Sequence, residues 1–453
     1  MAGRHLAYAA CVMSRSQGTS SRDSLIRRTL VATAGSRGLS LIGTLALTPV
    51  LTRELTRDQY GVLVTLTTAA TVVGLADLGV ANSLISKVAA AGWGTERTRQ
   101  LLSSAVVLLS AASLLGVALS FLLSALLPWP RWLKAPSLSG HELRLAALLA
   151  LLGVAIGVAS SLGQKLELAR QRGHAVAGWG ALSGLSGPLA AAAVAGIQPD
   201  LVAVVGASAI APPLVLGVQT VVALRSLPSE LRPKPRQASR RDLREALSSG
   251  GSFMCLSLAT FISFQVDTLI VSGVLGAAVA AKFSLVVRLF GLVSITMQNA
   301  MAQLWAAFAE ALADCDWRWI VSALRRWTLV AGVVTGGVST FLVVFGQPLI
   351  TTWVGEAFRP SLLLLVAAGV WYSYSAAAAP LSLFYNGAQL QRVQLLAVVP
   401  MSIANVVLSL SLTRRLGASG PLWASLMAHI VFVAIPLAYY GRSWLRRQQQ
   451  SPS

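Results

Sequence analysis

The sequence predicts an all-α integral membrane protein with about twelve transmembrane helices in two six-helix lobes, related as parallel repeats, around a central cavity. Hydrophobic residues make up 55% of the 453 residues, charged residues only 11%, and the mean hydropathy is +0.69. Soluble domains usually carry about 25% charged residues. The apolar residues also fall into runs of roughly 20, the length that a helix needs to cross a bilayer.

These apolar runs alternate with short polar segments along the chain. Their length favours helices over barrel strands, which need only about 9–11 residues. The fifth and sixth runs are separated by the turn Gln198-Pro199-Asp200, because proline and aspartate favour turns. The predicted spans are 29–51, 61–85, 101–127, 145–163, 175–196, 200–224, 246–271, 283–306, 327–346, 361–384, 393–413 and 420–440.

The distribution of basic residues predicts the orientation. Most of the 36 lysines and arginines lie in the N-terminal tail and the even-numbered loops, and cytoplasmic loops are enriched in these residues. Both termini are therefore expected in the cytoplasm. The net charge of +20 follows from this bias, and too little soluble surface remains to bind nucleic acid. The expected units are a disordered cytoplasmic tail (1–24), an N-lobe (25–224), a flexible basic cytoplasmic linker (225–245), a C-lobe (246–440) and a cytoplasmic tail (441–453).

Motifs for catalysis and cofactor binding are not found in the sequence. No Gly-Lys pair occurs, so no phosphate-binding loop of the ATPase type is expected. The four histidines lack carboxylates at ligand spacing, which predicts no metal site. His429, inside the last run, is expected to be a packed or hydrogen-bonded core residue, with a proton relay as the alternative. The predicted outside loops are short, the longest being 127–144, and the chain is not expected to be an enzyme.

Two apolar runs carry a stripe of polar side chains. Aligning the second half of the sequence on the first places Thr44 opposite Asp267 and Tyr60 opposite Phe283. At 100° per residue each stripe falls within one arc of its helix. Such stripes indicate either two helices facing a hydrated cavity or close packing through small hydroxyl side chains. The stripes are Thr29, Thr33, Arg37, Ser40, Thr44 and Thr48 in the first half, and Ser249, Ser252, Ser257, Thr260, Ser263 and Asp267 in the second.

Four charged residues lie inside or at the edge of apolar runs: Arg37, Asp77, Asp267 and Arg288. An ionised side chain at the centre of a spanning helix costs at least about 2.5–3.5 kcal/mol, so each should be paired, neutralised or in contact with water. Arg37 and Asp77 lie at comparable depths, roughly 13 and 15 Å from the basic residues at the inner ends of their helices. Asp267 and Arg288 are both nearer the outside. Buried ion pairs and roles in transport both remain open, and a pair that breaks when substrate or a proton arrives serves both.

Two segments carry a family resemblance. ELTRDQYGVLVTLTTAATVVGLADLGVANSLISK, residues 54–87, resembles the start of the polysaccharide transport family, the O-antigen or Wzx-type oligosaccharide flippases of bacteria. Members of that family carry a p-x-x-y-G turn into the second helix and a DLG segment before a basic loop. QVDTLIVSGVLGAAVAAKFSLVVRL, residues 265–289, is similar to the family's pattern at the start of the second half. One departure is Ala281-Lys282-Phe283, where the family usually has Gly-x-Tyr.

This resemblance implies the fold of the multidrug/oligosaccharidyl-lipid/polysaccharide (MOP) exporter superfamily. It implies transfer of an undecaprenyl-pyrophosphate-linked oligosaccharide from the inner to the outer leaflet of the bacterial cytoplasmic membrane by alternating access. The implied partners are this lipid-linked substrate, the lipid bilayer, and a polysaccharide polymerase with other assembly proteins. No cofactor is implied.

The resemblance also suggests roles for individual residues. Arginine suits a pyrophosphate because its planar fork donates paired hydrogen bonds to phosphate oxygens. The substrate-binding candidates are Arg37, Ser40, Thr44 and Arg288. Asp77 and Asp267 are the candidates for ion coupling or for ion pairs. A drug or cation antiporter of the related multidrug group remains the alternative, since it shares the fold but usually has an anionic cavity.

Overall fold

Long helices account for most of the chain. The structure is a computed structural model that describes residues 43–75, 95–170, 172–244, 266–301, 304–388 and 390–450. Within these ranges every regular element is helical. Eight of the described stretches are long and apolar enough to cross a membrane, and one of them, Arg392–Arg447, covers the last two predicted spans. The predicted all-α membrane architecture is therefore confirmed.

The N-lobe helices agree closely with the apolar runs. Side-chain caps fix three of their starts, at Thr95, Ser139 and Asp200, where a side-chain oxygen accepts a backbone N–H of the first turn. The helices are α1 (43–54), α2 (Arg57–Leu75), α3 (Glu96–Leu126), the short α4 (Trp129–Leu133), α5 (Gly140–Ser160), α6 (Leu162–Ala169), α7 (Gly173–Ile197) and α8 (Leu201–Arg225).

The C-lobe follows a short helical stretch, α9 (240–244). Its longest helix has 38 residues and begins ten residues before the predicted span 327–346. The prediction missed these first turns because they carry the exposed Arg318, Arg325 and Arg326 and are not apolar. The helices are α10 (Val266–Leu275), α11 (Ala277–Met301), α12 (Leu304–Ala313), α13 (Trp317–Val354), α14 (Leu362–Gly387), α15 (Gln391–Leu416), α16 (Gly420–His429) and, after a π-helical turn, α17 (Ile435–Gln450).

Each loop is numbered by the predicted span that it follows. Loops of odd number meet at one end of the bundle, which we call the odd-loop end. The Ser137 hydroxyl, between α4 and α5, donates to Asp58 Oδ2 at the start of α2 over 2.6 Å. Lys134 Nζ donates to the carbonyl oxygen of Val274 near the end of α10 over 2.8 Å. Loops one, three and seven thus lie together, as alternate crossing of a membrane requires.

The segment that joins the lobes packs on the N-lobe at the opposite end, the even-loop end. Arg97, in the first turn of α3, donates two N–H groups to the carboxylate of Asp242 over 2.9 and 2.6 Å. Asp242 is fully buried, and Leu227 and Leu231 of the same segment are also buried. The described part of the predicted linker is thus packed on α3. Its basic composition suggested a solvated chain, but its few apolar residues and one carboxylate fix it to α3.

The Arg97–Asp242 pair provides a test of this docking. Arg97→Ala leaves a buried carboxylate without its cation, and we expect it to destabilise the docked segment by about 2 kcal/mol. Trypsin should then cleave after the exposed Arg236 at least several-fold faster. Arg359→Ala, which removes the exposed pair with Glu356, should leave this cleavage unchanged. Equal cleavage rates in the wild type and Arg97→Ala would show that the pair does not hold the segment.

Buried apolar side chains form three clusters. The largest lies at the odd-loop end and combines both lobes; within it the rings of Tyr60 and Phe358 meet edge to face at 5.7 Å. The other two lie at the even-loop end, and each belongs to one lobe, around Leu101 in the N-lobe and Phe308 in the C-lobe. Among the described residues, the lobes are thus joined at the odd-loop end and share no buried cluster at the even-loop end.

The joined end contains a close approach between α2 and α11. A Cβ atom on Gly61 would lie 1.9 Å from the carbonyl oxygen of Ala277, so only glycine fits here. The neighbouring Tyr60 is 1% exposed, and its hydroxyl has no hydrogen-bond partner among the described residues. Phe283, its counterpart in the repeat alignment, is equally buried. The two repeat-related helices therefore pack directly against each other.

Candidate functional site

A buried polar cluster surrounds Asp267 inside the C-lobe. Asp267 lies on α10, Asn405 and Ser409 lie one turn apart on α15, and Ser425 lies on α16. None of the four is more than 7% exposed. The Ser409 and Ser425 hydroxyls lie 3.5 and 3.3 Å from Asp267 Oδ1 and Oδ2. Two helices of the C-lobe thus direct hydroxyl oxygens at a carboxylate carried by a third.

Oxygen atoms outnumber protons in this Asp267 cluster. Each serine hydroxyl also reaches Asn405 Oδ1, at 3.1 Å from Ser409 and 3.3 Å from Ser425. A hydroxyl carries one proton, so these four contacts cannot all be hydrogen bonds at once. Five oxygen atoms share two hydroxyl protons, and a 180° turn of the Asn405 amide, a proton on the carboxyl or a small hard cation would each relieve that mismatch. Groups of three or more His, Cys, Asp or Glu that suit a transition metal do not occur in the described ranges.

Arg288 does not pair with Asp267. The hydrogen bonds and ion pairs of Asp267 within the described residues are those to Ser409 and Ser425, so the ion-pair alternative is not formed in this half. Both residues were expected at similar depth, but depth does not say which way a side chain points around its helix.

Arg288 reaches across the lobe boundary instead. Its Nη1 lies 3.5 Å from Thr48 Oγ1 on α1, and Thr48 donates to the carbonyl oxygen of Thr44 over 2.8 Å. The described part of the first stripe is therefore bonded largely to its own helix, and Thr48 is fully buried. Arg288 forms no ion pair with a carboxylate of the described chain. A guanidinium without a counter-ion between the lobes suits an anionic ligand.

The remaining candidates differ in outcome. Arg37, Ser40 and Asp77 lie outside the described residues, so their roles stay predictions. His429 accepts or donates a hydrogen bond with the Tyr374 hydroxyl over 2.9 Å and packs against Trp371. His429 is therefore packed and hydrogen-bonded, as predicted, and the alternative of a proton relay stays a prediction.

Comparison with known proteins identifies the family. The family model described as polysaccharide biosynthesis protein matches residues 28–304, more than half of the chain. The chain belongs to this family. No curated protein sequence matches it significantly. The resemblance predicted from residues 54–87 and 265–289 is thus confirmed.

Solved structures show which fold this polysaccharide biosynthesis family member shares. A multidrug resistance MATE family transporter in an inward-facing conformation is 16% identical with a TM-score of 0.70, over 94% of this chain and 96% of that chain. The lipid II flippase MurJ, in an inward closed conformation, is 13% identical with a TM-score of 0.71, over 91% and 87%. A MOP superfamily transporter from Pyrococcus furiosus is 16% identical with a TM-score of 0.56, over 94% and 96%. At these identities the likeness shows the fold, which is that of membrane transporters and flippases.

Sequence analysis missed three members of the Asp267 cluster: Asn405, Ser409 and Ser425. A usable signal was present, because Asn405 and Ser409 stand four residues apart in an apolar helix and so share one face. Serine is common in membrane helices as a packing residue. A serine that faces a carboxylate therefore cannot be told apart, by residue type alone, from one that only packs.

Proposed function

We propose that this polysaccharide biosynthesis family member is a flippase for a polyprenyl-pyrophosphate-linked oligosaccharide, specifically one carried on undecaprenyl pyrophosphate. In this proposal it works in the bacterial cytoplasmic membrane with both termini in the cytoplasm. The even-loop end then faces the cytoplasm and the odd-loop end faces outside. The substrate moves from the inner to the outer leaflet by alternating access, and a polysaccharide polymerase uses it there.

The observation that carries the proposal is a transporter fold in a member of a polysaccharide biosynthesis family. A polysaccharide assembled from lipid-linked units needs those units on the outer leaflet. A polar route between two lobes would pass the sugars and pyrophosphate, while the polyprenyl chain stays in the surrounding lipid. Arg288, at the lobe boundary and without a carboxylate partner among the described residues, is the described residue best suited to contact the pyrophosphate.

The Asp267 cluster supports a role for an ion in the same cycle. Its carboxylate is contacted by two serine hydroxyls, which also reach Asn405 Oδ1, rather than by a cationic side chain, so a proton or small cation can bind without displacing an arginine. We assign to Asp267 the coupling of this ion to the movement of the lobes. The sequence carries no nucleotide-binding motif, so ion gradients and the membrane potential supply the energy.

A drug or cation antiporter is the second candidate. The likeness to a multidrug resistance MATE transporter and the buried carboxylate of Asp267 favour it. Arg288, which pairs with no carboxylate of the described chain, favours the flippase, because a cationic drug and a guanidinium repel each other. The two candidates differ in the charge of their substrate, and a transport assay can separate them.

Reconstituted vesicles test the flippase proposal. With a labelled polyprenyl-pyrophosphate oligosaccharide on one leaflet, we expect its transfer to the other leaflet to be driven by an imposed potential without ATP. For about two negative charges, outward movement gains about 5 kcal/mol per 100 mV when the inside is negative. Accessibility of the sugar to an added glycosidase measures the transfer.

Two results would contradict this expectation. Transfer that requires ATP at constant potential and ion gradients would exclude gradient-driven flipping. Uptake of a cationic dye in exchange for protons or sodium, with no transfer of the lipid-linked sugar, would support the antiporter instead. Protein-free vesicles and vesicles with the Arg288→Ala variant serve as controls for leak and for anion binding.

A further inference from the structure

A short helix at the odd-loop end places Lys134 in an unusual position. Helix α4 is closed by Lys134, whose backbone is left-handed with φ 45° and ψ 52° and whose N–H donates to Pro130 O over 3.1 Å. Side chains on both sides of it, Leu133 and Ala135, are buried in the cluster shared by the lobes. Since non-glycine residues rarely adopt this backbone region, the surrounding packing holds Lys134 in place.

The Lys134 side chain caps a helix of the other lobe. Its Nζ donates to the carbonyl oxygen of Val274 over 2.8 Å, and Val274 is the penultimate residue of α10. The last four carbonyls of a helix lack partners within it and carry the negative end of the helix dipole, so an ammonium group there is favourable. The contact crosses from the N-lobe to the C-lobe.

The backbones also meet at this point. Gly276, directly after α10, has a φ of 96°, and a Cβ on it would lie 3.0 Å from the carbonyl oxygen of Lys134. Gly276 therefore meets two requirements, a positive φ and a close approach. The end of α10 is thus held by the α4 turn through its backbone and through the Lys134 ammonium.

The same helix carries Asp267. Seven residues separate Asp267 from Val274, which is about 10 Å along a helix. Between these points α10 packs against α2 and α4 of the N-lobe and against α11, α15 and α16 of the C-lobe. One short helix therefore connects the Asp267 cluster to the contact that joins the lobes at the odd-loop end.

We infer that Lys134 is a positioning residue for transport: it holds the end of α10 against the N-lobe while the odd-loop end is closed, and it releases α10 when that end opens. The inference rests on the proposed function, and it adds the link between the Asp267 cluster and the gate. Binding and conformational equilibria are reciprocal. A change at Asp267 therefore shifts the equilibrium between the closed and open odd-loop end, and loss of the Lys134 contact shifts the same equilibrium.

Labelling of a buried cysteine tests the gate without any substrate. Ala280 is fully buried in the cluster shared by the lobes, so Ala280→Cys, in a background without the three native cysteines, reports opening to an impermeant thiol reagent. We expect Lys134→Met to raise the labelling rate about fivefold, in keeping with one exposed charged hydrogen bond. Lys134→Arg should restore most of the protection.

A matched control is Arg131→Met, on the same short helix, where the guanidinium makes no hydrogen bond or ion pair to a described residue. It should label at the wild-type rate. Asp267→Asn should also change the rate, and the double variant with Lys134→Met should deviate from the product of the single effects. If Lys134→Met does not fold, Lys134→Gln takes its place.

Wild-type labelling of Lys134→Met, or multiplicative effects of the two changes, would overturn the inference. The labelling assay contains no lipid-linked sugar, so it separates this inference from the proposed function. Faster labelling of Lys134→Met in a protein that transfers no lipid-linked sugar would support the gate and reject the flippase. Normal transfer of the lipid-linked sugar with unchanged labelling of Lys134→Met would support the flippase and reject the gate.

Discussion

Replacing Asp267 by asparagine is expected to lower gradient-driven transport by on the order of 100-fold while the protein stays folded. The carboxylate is the one formal charge of the Asp267 cluster, among oxygens from Asn405, Ser409 and Ser425. Asparagine keeps the shape and can accept from the same hydroxyls, and it removes a charge that is costly to bury. The loss should therefore appear in transport and not in protein abundance.

The transport assay with an imposed proton or sodium gradient measures this effect. Ser425→Ala removes one of the five oxygens and should cause a smaller loss. Asp314→Asn removes an exposed carboxylate of the same lobe and should behave as the wild type. Full gradient-driven transport by Asp267→Asn would show that the cluster is only a packing feature.

Gly61→Ala is expected to have the largest effect on the balance between conformations. A methyl group at this position would lie 1.9 Å from the carbonyl oxygen of Ala277, so α2 and α11 cannot keep their present distance. Each lobe retains its own buried cluster at the even-loop end, so the lobes should part without unfolding. We expect labelling of Ala280→Cys to rise at least tenfold, which corresponds to about 1.4 kcal/mol, and transport to fall.

Gly196→Ala is the matched control for this change. Gly196 lies near the odd-loop end of α7, and a Cβ there meets nothing within 4 Å. It should leave labelling and transport unchanged. Wild-type labelling in Gly61→Ala would mean that the helices shift locally and that the lobes stay joined.

The helices of this protein were predictable because a helix buried in lipid requires a long run of apolar residues in the sequence. A span needs roughly 20 apolar residues in a row, whatever its neighbours are. The apolar run ends where a helix leaves the bilayer: Trp317 to Arg326 is helical, but its exposed arginines remove the apolar signal. The docking of the linker was likewise hidden, because the buried Asp242 and Leu231 are few among many basic residues.

The candidate site was predictable only in part. Asp267 was visible because it interrupts an apolar run, and the cost of a buried charge makes such a residue conspicuous. Its partners Ser409 and Ser425 stand 142 and 158 residues away in the chain, and a single sequence does not record that proximity. The expected partner Arg288 lies against Thr48, 240 residues away, because the direction of a side chain around its helix is set by tertiary packing.

The hydroxyl of Tyr60 gives the closed odd-loop end a bias of its own. This oxygen is buried beside Phe358 with no hydrogen-bond partner among the described residues, and a buried hydroxyl without a partner costs about 1–3 kcal/mol. When the lobes part, water reaches it and the penalty disappears. The unsatisfied Tyr60 hydroxyl therefore favours separation of the lobes at the odd-loop end, and the apolar packing around it opposes that separation. Reversing a two-state balance from 1:99 to 99:1 takes about 5.5 kcal/mol of differential binding, so this one unsatisfied oxygen supplies a substantial part of what an ion or substrate must otherwise provide.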